Sequence, residues 1–206
     1  MAPQNKANPA SAATREKILD AAEQLLIEKG CSGTSLRAIA SSAGVNLAAT
    51  NYHFGCKEGL FAAVIHRRVT PINKQRLVSL DELEATKRVL STQEIVEAFL
   101  QPMASTDLPE HLPAVIARIS SEPQQGIRAI LQSEFMEVAS RYQTALILAL
   151  PLVSEEDVVW RFHFLVGGML HLVGLFKPLG VRESELSKKE RFQKLVTFAV
   201  AGLAAH

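Results

Sequence analysis

Between Ala38 and Thr50 the chain reads AIASSAGVNLAAT, and that run leaves little choice of local fold. Gly44 divides it. A glycine behind a helical stretch commonly supplies the positive φ of a helix stop, and Asn46, two residues on, is a good N-cap for a new helix. The pattern predicts a short helix over Ser35–Ser42, capped by Thr34 and turning Leu36, Ile39 and Ala40 inward. A second runs from Asn46 to about His53 and is closed by Gly55. Ala40, Gly44 and Val45 fall where the two must approach closely, so small residues there have a mechanical reason. Short helices on a tight glycine turn make a helix-turn-helix by spacing.

The rest of the chain is also helical in pattern, and strand signals are nearly absent. Ile18, Ala21, Ala22, Leu25 and Leu26 recur at helical spacing between Thr14 and Gly30. A longer helix is expected from about Lys57 to Leu80, with Leu60, Phe61, Val64 and Ile65 buried and Pro71 as a kink or break. STQE, Ser91 to Glu94, is a capping-box pattern ahead of Ile95, Val96 and Phe99. Prolines 102, 109 and 113 punctuate a short helical segment around 109–119. Pro123 fits the first turn of a helix carrying Ile127, Ile130, Leu131, Phe135 and Val138 to about Leu150. The acidic SEED at Ser154–Asp157 suits the positive end of a helix dipole. That helix reaches about Phe176, and a last one covers roughly Ser187–Ala204. The expectation is an all-α chain of about nine helices.

A hydrophobic content of 48% against 21% charged residues is enough for a sizeable core. The net charge of +1 hides a split: residues 1–80 hold ten Lys/Arg against five Asp/Glu, and residues 81–206 hold twelve against sixteen. A basic front on a mildly acidic body suits a polyanion at one end only. Cys31 and Cys56 form no metal or redox spacing and read as free thiols of a reducing cytosol. The opening MAPQNKANPASAA lacks a hydrophobic run and reads as a disordered arm rather than a signal peptide. Apolar stretches near 145–153 and 164–176 are too short and interrupted to span a bilayer. No Ser/His/Asp set, paired carboxylates, metal cluster or phosphate-cradling loop stands out, so neither catalysis nor a cofactor is expected.

The second short helix suits the major groove, about 12 Å wide, entered by the helix N-terminus. Asn46, Leu47, Ala48, Ala49 and Asn51 are small or amide-bearing, which lets a helix sit deep. Asn51 is suited to pair with adenine, and Leu47 or Ala48 to meet a thymine methyl. Tyr52, His53 and Lys57 stand at the far end, where their donors reach phosphates. Arg37, on the first short helix, is placed for a base edge or a phosphate.

The segments TREKILDAAEQLLIEKG, TSLRAIASSAGV and NYHFGCKEGLFAAV, in that order, resemble the DNA-binding domain of the TetR (tetracycline-repressor) family of bacterial transcription regulators. The resemblance implies an all-helical homodimer with a three-helix DNA-binding head and a larger carboxy-terminal ligand-binding body. It divides the chain into an arm at 1–13, a helix-turn-helix domain at 14–57 and a ligand-binding and dimerisation domain at 58–206. It further implies that Arg37, Leu47, Ala48 and Asn51 face bases, and that Thr34, Ala49, Tyr52, His53 and Lys57 lie near the DNA backbone. Two positions depart from the family pattern. Cys56 stands where serine is usual, and a thiol is a weak helix cap. Asn51 replaces a more usual tyrosine, which should alter the operator sequence.

From Ser154 the chain offers a helix apolar nearly all round, with Trp160, Phe164, Gly167, Gly168, His171 and Leu175 on one stripe. Phe162, Val166, Met169, Val173 and Phe176 lie opposite. Such a helix must be covered on both sides, one of them by a two-fold partner. Phe192, Leu195, Val196, Ala199 and Leu203 of the last helix complete half of an expected four-helix dimer interface. Phe99, Met103, Ile130, Phe135, Met136, Leu146 and Phe162 are candidates to line an apolar cavity, though such residues serve core packing as readily. Glu134 and Arg141 are candidate polar anchors. His163 and His171, eight apart, lack the spacing that aims two imidazoles at one metal. WRFHFLVGG loosely resembles TetR-type regulators that sense fatty-acyl or other apolar effectors.

The reading is a cytoplasmic regulator, most readily a repressor, that binds a pseudo-palindromic duplex operator as a homodimer and is released by a small apolar effector. The alternative is a small-molecule-binding helical protein without DNA function.

Overall fold

The computed structural model describes residues 9–86, 88–104, 115, 118–119, 125–173 and 186–205. Among them are eight helices and no strand: α1 (Pro9–Lys29), α2 (Leu36–Ser42), α3 (Leu47–Phe54), α4 (Lys57–Glu84), α5 (Thr92–Ala104), α6 (Gln125–Ala149), α7 (Glu155–Val173) and α8 (Lys188–Ala204). The chain is all-α, as its periodicity predicts. Most of the expected short segment around 109–119 lies outside the described residues, as do Leu175 and Phe176. No helix among the described residues is long and apolar enough to cross a membrane. α1 begins at Pro9, so the expected arm is already helical over Pro9–Ala13. α4 runs unbroken through Pro71, whose ring faces solvent.

The described residues form two compact units. The first takes those up to Arg67 together with those of Arg118–Leu131. α1 buries Ile18, Leu19, Ala22, Leu25 and Leu26, α2 buries Ile39 and Ala40, and the start of α4 buries Leu60, Phe61, Val64 and Ile65. Each large side chain so covered contributes about 1.5–3 kcal/mol. The expected boundary at 57/58 falls within the first turn of α4 and inside the first unit. Arg67 holds that part of α4 to α1 through Glu16 and Asp20 at 2.9 Å and through buried Glu23. Burial opposes the guanidinium's charge, and its bonds to these carboxylates outweigh that and raise its pKa.

The second unit contains the remaining described residues. Its core gathers Ile72 and Leu80 of α4 with the buried faces of α5, α6, α7 and α8. Phe99 lies at its centre, edge-on to Tyr142 at 5.2 Å and to Phe162 at 5.1 Å between ring centroids. α8 packs on both α5 and α7. The approach to α7 is close at Gly168, where a Cβ would lie 2.8 Å from Leu195 Cδ1 and that leucine side chain would have to shift. The STQE box forms as its spacing predicts: the Ser91 amide donates to Glu94 Oε2 at 3.0 Å, and the Glu94 amide to Ser91 Oγ at 3.3 Å. Ser187 and Glu190 repeat the box at α8. Arg161 Nη1 donates to the carbonyls of Leu203 (2.8 Å) and Ala205 (2.6 Å), tying α7 to the end of α8.

Candidate nucleic-acid interface

α2 starts on Ser35, whose Oγ accepts the Ala38 amide at 3.2 Å, and it ends at Ala43. Gly44 turns the chain with φ of 65°, and the Val45 amide closes back onto the Ala40 carbonyl at 3.0 Å. Asn46 caps α3 as expected, its Oδ1 accepting the Ala49 amide at 2.7 Å. α2 packs on both α1 and α3. Buried Thr50 fixes which side of α3 faces inward, and Phe54 is held near α1 by Arg15, 5.3 Å from its ring centroid.

The opposite side of α3 is open. Asn46, Ala48, Asn51 and Tyr52 are exposed, Tyr52 by 83%, while Leu47, Ala49, His53 and Lys57 are half-buried. Arg37 of α2 is exposed as well. Tyr52 and His53 meet edge to face at 5.3 Å, which braces two ring donors at the end of the helix. The surface is therefore small and uncharged in its middle, with hydroxyl, imidazole and ammonium groups at its end. Such a surface can enter a groove and hydrogen-bond its walls.

Two expectations at this site change. Thr34 is neither the cap of α2 nor placed to offer its hydroxyl to a phosphate. It is 3% exposed, and its Oγ1 donates to the carbonyls of Gly30 (2.8 Å) and Leu25 (3.2 Å), which closes the end of α1. Cys56, expected to be a weak cap, does take the N-cap position of α4, its Sγ accepting the Gly59 amide at 3.4 Å.

In the second unit the apolar candidates separate by face. On α7, Val158, Phe162, Leu165, Met169 and Val173 point into the core, whereas Trp160 (52% exposed), Phe164 (64% exposed), Gly167 and His171 form an outer stripe. Leu175 lies outside the described residues. Gly168 belongs to the contact with α8 inside the chain and not to the outer stripe. The α8 set also turns inward: Phe192, Leu195, Val196, Ala199 and Leu203 are buried in the chain's own core, because α5 and α7 claim that face. The apolar side chain α8 presents outward is Phe198, 75% exposed, which sequence spacing did not single out.

Of the cavity candidates, Phe99, Met103, Leu146 and Phe162 sit together in the core, and Phe135 packs against it. Ile130 lies in the part of α6 that belongs to the first unit. Met136 points to solvent, one position off the buried Phe135–Val138–Tyr142 face. Arg141 is held by Asp81 and Glu84, both at 2.7 Å, and Glu134 accepts the Thr70 hydroxyl at 2.9 Å. His163 meets Trp160 edge-on, and no described group of three His, Cys, Asp or Glu residues could hold a metal.

The sequence reading missed Arg76. It is 1% exposed, deep in the second unit, and burial lowers its guanidinium to about 10. Nε donates to the Phe99 carbonyl at 2.9 Å, Nη1 to Asn73 Oδ1 at 3.2 Å and Nη2 to Met169 Sδ at 3.0 Å. The Phe99 ring centroid lies 4.1 Å from its Cζ and that of Phe135 5.4 Å. Tyr142 donates its hydroxyl to the Arg76 carbonyl at 2.8 Å, and burial raises that phenol's pKa. A signal was present in the sequence: Arg76 falls at i+4 from Ile72 and i−4 from Leu80, on the buried stripe of α4.

Residues 18–64 match the family described as "Bacterial regulatory proteins, tetR family", and residues 93–202 match "Tetracyclin repressor-like, C-terminal domain". YttP of Bacillus subtilis, a probable HTH-type transcriptional regulator, is 38% identical over 88 residues, 43% of this chain and 39% of that protein. BepR of Brucella suis, an HTH-type transcriptional repressor, is 43% identical over 61 residues, 30% of this chain and 29% of BepR. The chain spans well under two thirds of either relative. AibR, solved with isovaleryl coenzyme A and operator DNA, shares the fold at a TM-score of 0.67 and 18% identity, over 90% of this chain and 97% of AibR. The second family match alone covers more than half of the sequence. The chain belongs to the TetR family of bacterial regulatory proteins.

Proposed function

We propose that the protein is a ligand-responsive repressor that binds a pseudo-palindromic operator as a homodimer in the cytoplasm. The observation that carries this is the open side of α3: Asn46, Ala48 and Asn51 exposed and uncharged, with Tyr52, His53 and Lys57 at its end. On this reading Asn51, Leu47 and Ala48 read base edges, while Tyr52, His53 and Lys57 hold phosphates. Arg37 reaches a base edge or a phosphate from α2. The outer stripe of α7 and the exposed Phe198 of α8 support a two-fold partner, because large exposed aromatic side chains ask for cover. Two heads then meet half-sites about one helical turn apart or a multiple of it. The core aromatics Phe99, Phe135 and Phe162, with Met103 and Leu146, supply an apolar environment for an effector. AibR, solved with both a small ligand and operator DNA, and BepR, named as a repressor, fit the same reading.

Selection of bound sequences from a random duplex pool tests the proposal, with sedimentation of the free protein alongside. A two-fold related motif and a dimer are expected. A monomer with no affinity for any duplex at low salt would end the reading.

A further inference from the structure

We propose that the effector is an amphiphilic monocarboxylate whose anionic head seats on Arg76, with its apolar body among the surrounding rings and thioether. The inference rests on the reading above that the second unit takes an effector. It starts from a charge without a counter-charge. Every partner of the Arg76 guanidinium is neutral: a carbonyl, an amide oxygen and a sulfur. Among the described residues no carboxylate pairs with it. Three acids of α4 and α6 are engaged elsewhere, Asp81 and Glu84 with Arg141, and Glu134 with Thr70.

A buried cation with neutral partners alone is costly, and an apolar residue of similar size would fill the space without that cost. A structural pin between α4 and α5 accounts for the Nε bond to Phe99. It does not account for the charge. The guanidinium also carries more N–H donors than its acceptors satisfy, and the thioether is the weakest acceptor among them. Met169 is flexible and holds its sulfur 3.0 Å from Nη2, where an incoming oxygen would sit. With Met169 turned aside, the fork of Nη1 and Nη2 matches the two oxygens of a carboxylate. One guanidinium balances one negative charge, so a monocarboxylate fits this dry site and a phosphate dianion would bring an unpaired charge. The rings of Phe99 and Phe135 on the guanidinium, and Phe162 behind Phe99, favour an apolar remainder.

The test is calorimetric titration of the full chain, without DNA, by paired probes: unbranched monocarboxylates from butanoate to hexadecanoate, each against the primary alcohol of equal length. At least one carboxylate should bind saturably, with its alcohol about tenfold weaker or more, since a charge-assisted bond is lost. Arg76→Lys should keep the preference at reduced affinity, and Arg76→Met should abolish it. Should Arg76→Met fail to fold, side-chain nitrogen spectra of the wild type decide: one arginine Nε resonance should move with the carboxylate and stay still with the alcohol. The proposal is overturned if no carboxylate binds, if alcohols bind equally well, or if Arg76→Met keeps the preference. Operator binding without carboxylate binding would defeat this inference alone. Carboxylate binding without operator binding would instead defeat the repressor reading and leave this one standing.

Discussion

Gly59→Ala gives the sharpest check on how the α3–α4 turn is held. Glycine to alanine inside a helix ordinarily stabilises by about 0.8–1 kcal/mol, because glycine has more backbone freedom to lose. Gly59 lies in the first turn of α4, and a Cβ there would stand 2.3 Å from the Phe54 carbonyl oxygen and 3.7 Å from Cys56 Sγ. A carbon and an oxygen need about 1 Å more than that, by the usual non-bonded separations. The oxygen is poorly placed to yield, since it accepts the Cys56 amide at 2.8 Å inside a turn whose Gly55 sits at φ of 71°. The start of α4 must therefore move, which also stretches the Gly59 amide away from Cys56 Sγ.

Overpacking of this kind costs about 1–3 kcal/mol, and a lost cap adds about 1 kcal/mol. Set against the helix propensity, the net is a destabilisation of about 1–3 kcal/mol. At about 2–4 °C per kcal/mol for a chain of this size, the melting temperature should fall by several degrees. Gly126→Ala is the control, because a Cβ there meets nothing within 4 Å; its melting point should hold or rise. Circular dichroism melts of the two variants beside the parent read the result. A Gly59→Ala protein as stable as the parent, or more so, would refute the claim that this turn is locked by backbone contact.

Four further outcomes are expected. Lys57→Ala should weaken binding to all duplexes alike and reduce the salt slope by about one unit, as measured by fluorescence anisotropy across a salt series. Asn51→Ala should relax preference at one operator position by about 1–3 kcal/mol, whereas uniform weakening across a mutated operator panel would refute base reading. Thr34→Val should cost about 1–3 kcal/mol in chemical denaturation, since it removes the buried hydroxyl that donates to the Gly30 and Leu25 carbonyls, while the salt slope stays put. Phe164→Glu, on an exposed position of α7, should leave the helices folded and shift the protein to monomer in sedimentation; an unchanged dimer would move the interface elsewhere.

What the sequence disclosed follows from how local each signal is. The helix-turn-helix was legible because its determinants lie within a few residues of one another: Asn46 caps its own helix, and Gly44 and Gly55 take the positive φ their turns require. Thr34 and Ser35 are adjacent hydroxyls that fit the same cap pattern. Only packing against the end of α1 decides that Thr34 turns inward and Ser35 caps. The buried stripe of α8 was equally legible, yet a stripe does not say whose core it enters; α5 and α7 of the same chain claim it, which leaves Phe198 outside. Arg76 was missed because a charge is ordinarily assigned to the surface, although its register on α4 pointed inward.

The neutral surroundings of Arg76 also bear on how an effector could switch the protein. A ligand moves a two-state equilibrium only by its difference in affinity between the states, and near-complete switching takes about 5.5 kcal/mol of difference. Apolar contacts discriminate weakly, because an alkyl chain gains about 0.8 kcal/mol per buried methylene in any dry core. A carboxylate differs: its charge-assisted bonds, about 1.5–3 kcal/mol each, form only where the Arg76 fork is free of Met169. Two such bonds approach the required difference, and they exist in one arrangement of the core and not the other. Met169 lies on the inner side of α7, and the same helix carries Trp160 and Phe164 on its outer side. Displacing the sulfur therefore acts on the helix proposed to meet the partner subunit, so the thioether that an anion on Arg76 of α4 would displace and the surface that would set the spacing of two heads belong to one helix, α7.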